Sequence, residues 1–165
     1  MSSEEKIEIH RGLKGIYFER SATTFIDGKA GDLRYRGYSI HDLAQQSTFE
    51  ETAYLLLHGE LPTQAQLADT ERQLITARLV PGPVFDLIRT LSHAHPMDVL
   101  RTAVSALAAY DPQADDNSLE ASRVKGLRLT AQVPVIIGAL AALRAGQSIR
   151  DSDPSLGHAA NLLWL

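Results

Sequence analysis

Cysteine is absent from the 165 residues, which excludes disulfides, thiol nucleophiles and thiolate metal sites while leaving the redox compartment open. No glycine-rich phosphate loop and no paired-carboxylate pattern occurs, so the common signatures of nucleotide hydrolysis and of two-acid catalysis are missing. Long hydrophobic runs are missing too. The longest, Val133 to Leu143, falls far short of the roughly 20 residues that cross a bilayer, and the start, MSSEEKIEIH, lacks the apolar core of a secretion signal. These absences point to a cytoplasmic protein without membrane attachment. An excess of positive charge is lacking as well: the net charge of −4 argues against nucleic acid as a partner. Locally, Arg11, Lys14, Arg20, Lys29, Arg34 and Arg36 outnumber Glu19, Asp27 and Asp32, a surplus that can meet a phosphate or simply form a solvated surface.

What is present suffices for one folded domain with a core of its own. From Gly15 to Arg36 the pattern is short and β-like: GIYFE, then TTFI, the turn pair Asp27-Gly28, and LRYR. Beyond Gly37 the chain reads as helical. Ser39 with Asp42 and Thr48 with Glu51 have capping-box spacing. The helix after Thr48 places Phe49, Ala53, Leu56 and Leu57 on one stripe and stops at Gly59. Thr63 opens a helix to about Leu79, with Leu67, Leu74 and Ile75 inward, and a short helix runs from Val84 to Leu91.

His93 and His95 stand one residue apart before Pro96. A proline is tolerated at the first helical position, so Pro96 marks a helix start and His95 sits near its N-cap. A metal would need further ligands, and Asp98 is the one nearby candidate; no metal site is expected. The helix Pro96–Tyr110 carries Met97, Leu100, Val104 and Leu107 on one stripe and Ala103, Ala106 and Ala109 on a small-residue face open to another helix. Leu119 to Ala145 reads as one long helix, kinked or broken at Pro134. His58, in a last turn, is placed where a cation is favoured, and His41, in a first turn, faces solvent. The final stretch, SLGHAANLLWL, begins like an apolar helix and reaches Leu165 without a stop signal, the pattern of a chain that continues.

In their order and spacing, RGLKGIYFE, LRYRGYSIHDLA, FEETAYLLLHGELP, HPMDVLRTAVSALAAYDP and LGHAANLLW resemble the N-terminal part of bacterial citrate synthases and the similar 2-methylcitrate synthases, over Arg11 to Leu165. The resemblance implies an all-α, citrate-synthase-like helical domain with a small N-terminal β element: residues 1–14 as an arm and 15–165 as the first part of the large helical domain. It implies an acyltransferase that condenses acetyl-CoA with oxaloacetate to give citrate and CoA, with acetyl-CoA as substrate and no tightly bound cofactor. Partners would be a second copy, through helices around residues 84–110, and the C-terminal remainder of the enzyme or a complementary subunit.

The family's His-Gly-Gly-Ala-Asn-Glu and Gly-His-Arg motifs are not in this sequence, and Gly157-His158 continues into Ala159-Ala160. No catalytic residue is therefore carried over, and the chain alone is expected to be inactive. The one contact implied is Arg11, with Lys14 nearby, at the position where the family places a basic residue near the coenzyme A phosphates. The alternatives are a 2-methylcitrate synthase fragment and a stand-alone helical module for dimerisation or regulation.

Overall fold

The computed structural model describes Gly12, residues 15–17 and residues 19–165. Three short strands, β1 (Thr24–Asp27), β2 (Asp32–Tyr35) and β3 (Tyr38–Ser39), form an antiparallel sheet in that order. The Asp27 carboxylate builds the first turn by accepting from the backbone N–H of Lys29 and Ala30 at 2.9 and 3.1 Å, which leaves Asp27 opposite Asp32. The second turn is the pair Arg36-Gly37, both with positive φ (50° and 90°), the primed geometry that matches the twist of a hairpin. Arginine is strained there. Its guanidinium, however, reaches across to the Leu56 carbonyl at 3.1 Å. The TTFI and LRYR segments are strands as expected, whereas the described residues of Gly15–Glu19 form no strand and β3 is an addition.

Seven α-helices follow: α1 (Ile40–Gln46), α2 (Phe49–His58), α3 (Gln64–Thr76), α4 (Gly82–Leu91), α5 (Pro96–Leu107), α6 (Leu119–Arg144) and α7 (His158–Trp164). The fold is all-α with a small β element near its start. Local chemistry sets most boundaries. Thr48 and Glu51 close a full capping box, with Glu51 Oε2 accepting from the Thr48 N–H at 2.7 Å; Thr63 and Gln66 form a second. Ser39 caps α1 through His41 N–H, so the box with Asp42 does not form. Gly59 ends α2 at φ 97°, a backbone conformation that glycine adopts without steric cost. α3 stops at Thr76, before Leu79, with Arg78 beyond its end turned inward, and α5 stops at Leu107, passing into a single 3-10 turn, Ala108–Tyr110.

The core lies where α4, α5 and α6 meet. Val84, Ile88, Val99, Ala103, Ile136 and Leu140 fill it, and Ile88 and Ile136 are fully enclosed. Burying each such side chain stabilises the fold by about 1.5–3 kcal/mol. The buried face of α5 is Val99, Ala103 and Leu107. Of the expected stripe Leu107 is buried, Leu100 and Val104 are half-buried against the core and Met97 is largely exposed; of the alanine face Ala103 is buried, Ala106 half-buried and Ala109 exposed. In α2 the buried pair is Tyr54 and Leu55, beside the expected Leu56 and Leu57, which are half-buried, while about half of Phe49 stays exposed.

The helix α6 runs unbroken through Pro134. By length and composition it could cross a membrane, yet half of its most apolar stretch is buried inside this fold, where it supplies Val135, Ile136 and Leu140 to the core.

Candidate functional site

The corner Ser92–Pro96 is a structural joint. His95 Nδ1 accepts from the Met97 N–H at 3.3 Å and so caps α5, while Arg144 from the end of α6 donates Nε to the Ser92 carbonyl at 2.9 Å and a second N–H to the Ala94 carbonyl. With one ring nitrogen committed to the backbone, His95 is a poor start for a metal site, and no group of three potential ligands occurs among the described residues. His41 is exposed in the first turn of α1, as expected. His58 lies in the last turn of α2, as expected; its ring stacks on Tyr54 at 4.1 Å, and partial burial, with Arg123 adding and Glu120 and Glu60 opposing, lowers its pKa from the ordinary value. Arg11 and Lys14 lie outside the described residues.

A cleft of about 390 Å³ opens between the α3–α4 connection, α5 and α6. Leu79, Val104, Leu107 and Leu129 make it mainly apolar, and Lys125 and Arg128 stand on its α6 wall. Both cations are engaged. Arg128 pairs with the Asp111 carboxylate, and Lys125 donates to the carbonyls of Ala114 and Asp116, which fastens the Asp111–Ser118 loop over one end. The Asp111 pKa is held down first by the Gln113 N–H at 2.9 Å and then by Arg128. Buried Gln132 donates to the Leu79 carbonyl at 2.7 Å and fixes the other end. Such a cleft can take an apolar body but offers no nucleophile beside a base.

The second polar cluster escaped sequence reasoning. Arg78, only 5% exposed, donates to the carbonyls of Asp153 and Leu156 at 2.9 and 2.8 Å. Glu50 Oε1 accepts from the His158 N–H at 2.9 Å, and the His158 ring stacks on Phe49 at 4.1 Å. Asn161 Oδ1 accepts from the Asp153 N–H at 2.9 Å. The cluster joins α2, the end of α3 and the approach to α7. Its one legible signal is an arginine set within the otherwise apolar stretch Ala77–Val80.

Residues 12–165 match the family described as "Citrate synthase, C-terminal domain". Among curated relatives, the citrate synthase of Haloferax volcanii is 42% identical across 96% of this chain and 43% of its own length. The 2-methylcitrate synthase of Mycobacterium tuberculosis is 37% identical across 98% of this chain and 41% of its own. Among solved structures, citrate synthase from Pyrobaculum aerophilum superposes with a TM-score of 0.87 at 33% identity, covering 94% of this chain and 41% of that one. The ternary complex of carboxymethyl coenzyme A and oxaloacetate with citrate synthase from Thermoplasma acidophilum superposes with a TM-score of 0.87 at 27% identity, over the same shares. The chain thus spans about two fifths of the length of the relatives it matches.

Proposed function

Since the chain belongs to the citrate synthase family, we propose that it supplies the N-terminal two fifths of a citrate synthase-type acyltransferase, which joins acetyl-CoA to oxaloacetate and releases citrate and CoA. The observation that carries this reading is the match along 96% of the chain at 42% identity against 43% of the relative. In such a reaction a base removes a proton from the acyl methyl group, hydrogen-bond donors stabilise the enol, and cations hold the carboxylates of the keto acid. No described residue combines a base, an oxyanion donor and free cations in one place, so this reading assigns those groups to residues outside the 165. What this portion contributes is the α4–α5–α6 body on which such groups are held.

The arm, residues 1–14, and the helical body, 15–165, divide the chain in this reading, with Arg11 and Lys14 meeting the coenzyme A phosphates. Helices around residues 84–110 meet a second copy, the remainder of the enzyme packs elsewhere on the body, and the assembly works in the cytoplasm. The 2-methylcitrate synthases among the relatives support a second reading in which the acyl donor is propionyl-CoA. The test is the purified chain with oxaloacetate, either acyl-CoA and a thiol reagent that traps free CoA. No CoA release is expected from either donor; turnover by the isolated chain overturns the proposal.

A further inference from the structure

The cleft between the α3–α4 connection, α5 and α6 divides its lining between grease and positive charge. Its volume of about 390 Å³ falls within the range of about 300–1,000 Å³ usual for small-molecule sites. Val104, Leu107 and Leu129 supply aliphatic surface. Two further lining residues stand in water, Leu79 at 80% and Tyr110 at 49% exposure, so an apolar body laid against them is held by the area it covers.

The charged residues of the lining are Lys125, Arg128 and Asp111, two cations against one carboxylate in a chain of net charge −4. Asp111 reaches Arg128 from outside the helices, as the first residue of the loop Asp111–Ser118 that leads into α6. The contact uses one terminal nitrogen of a guanidinium that carries five N–H donors. The Asp111 and Arg128 side chains are 11% and 28% exposed, so water screens the pair less than it would on an open surface. Lys125 grips the same loop through the carbonyls of Ala114 and Asp116, which leaves one of its three N–H groups. The other loop carboxylates, Asp115 and Asp116, are outside the lining, and Asp116 accepts from the Ser118 N–H at 2.8 Å. A side-chain carboxylate carried on a loop thus sits on the cleft's cations as a separate anion would.

We propose that this cleft binds an amphipathic carboxylate, an aliphatic chain with one anionic head, and that Asp111 is the resident competitor for its head group. The chain lies on Val104, Leu107 and Leu129, the head pairs with Arg128 and the spare Lys125 donor, and the Asp111–Ser118 loop lifts as its carboxylate is displaced. A carboxylate suits this place because a guanidinium offers two parallel N–H groups to its two oxygens. Seating the ligand first requires breaking the Asp111–Arg128 contact, which lowers its apparent affinity by the fraction of chains in which the loop is down. The coupling is reciprocal: the ligand loosens the loop, and whatever loosens the loop tightens the ligand. The site stands apart from the acyl-transfer reading and does not rest on it.

The test titrates octanoate into the purified chain by calorimetry, with acetate and octylammonium alongside, and follows amide hydrogen exchange with and without octanoate. Octanoate saturates one site, while acetate, without the chain, and octylammonium, with the opposite head, bind about tenfold more weakly or less. Exchange at Ala114 and Asp116, whose N–H groups bond within the loop, rises by about fivefold or more at saturation, while Ile136 changes less than about twofold. Asp111→Asn keeps an acceptor for the Gln113 N–H, removes the competing charge and tightens octanoate by about threefold or more. Arg128→Gln weakens it by about tenfold, and Arg101→Gln, on the exposed side of α5, leaves it unchanged. Should Arg128→Gln fail to fold, Asp111→Asn decides. Absence of octanoate binding, equal binding of octylammonium, or no tightening in Asp111→Asn overturns the proposal. So does loss of octanoate binding when the complementary portion of the Haloferax volcanii citrate synthase is added, which would make the cleft a packing surface for the rest of the enzyme.

Discussion

Arg78→Met tests how the α7 segment is held. The guanidinium is buried and makes two hydrogen bonds, at 2.9 and 2.8 Å, to carbonyls 75 and 78 residues further along the chain. Hydrogen bonds involving a charged partner contribute about 1.5–3 kcal/mol each, so the pair represents roughly 3–6 kcal/mol before the cost of burying the charge is removed. Burial does lower the Arg78 pKa, with Glu50 and Asp153 opposing, a sign that desolvation is felt. Relief of that desolvation offsets part of the loss, and methionine refills most of the volume, which leaves a net destabilisation of about 2–4 kcal/mol. Arg78→Lys keeps the charge but not the fork that spans two carbonyls, and it is expected to lose about half as much. The assay is urea unfolding followed by Trp164 fluorescence and by far-ultraviolet circular dichroism. In Arg78→Met the fluorescence transition precedes the loss of helix. Arg101→Met, which removes an exposed pair with Asp98, serves as the control and stays within about 0.5 kcal/mol. If Arg78→Met also stays within about 0.5 kcal/mol of the parent, the reasoning about this cluster is wrong.

Ile88→Ala, at a fully enclosed core position, is expected to cost about 3–4 kcal/mol in urea titration, and a loss under about 1 kcal/mol would mean that the α4–α5–α6 core is loosely packed. His95→Ala removes the side-chain cap of α5 and lowers stability by about 1 kcal/mol, while added zinc leaves the melting temperature of the parent unchanged; a zinc-dependent rise would restore the metal reading. Acid sensitivity has a fixed sign. The pKa values of His58 and His158 are both lowered, so the unfolded chain binds their protons first as pH falls below the ordinary value. Unfolding free energy therefore decreases from that pH down to the depressed folded values and then levels. His58→Gln and His158→Phe together are expected to flatten this slope between the same limits, as read by denaturant titration at stepped pH.

Much of the fold was legible because its signals are local. Thr48 with Glu51, Gly59, Thr63 and Pro96 each fix a helix end through groups within a few residues, and all four ends lie where they were expected. Which face of a helix is buried is decided elsewhere. In α5 both a Met97–Leu107 stripe and an alanine face were readable, and only the placement of α4 and α6 turned Ala103 inward and left Met97 outside. The same reason hid the Arg78 cluster, whose partners are far apart in sequence and carry no spacing rule. The last-turn position of His58 is legible in the sequence, whereas the partial burial and the Arg123 charge that lower its pKa come from the packing of α6 beside α2. Resemblance rather than periodicity supplied the functional reading, and the basic pair it singled out, Arg11 and Lys14, lies outside the described residues.

The central claim is that these helices are one share of an acyl-condensing enzyme whose reacting groups are carried by other residues. It is tested most directly by mixing the purified chain with the complementary portion of a relative, that of the Haloferax volcanii citrate synthase, and measuring CoA release from acetyl-CoA and oxaloacetate. The account predicts no release from either piece and release from the mixture, abolished when Ile136→Asp disrupts this chain's core. Release by this chain without a complement contradicts it.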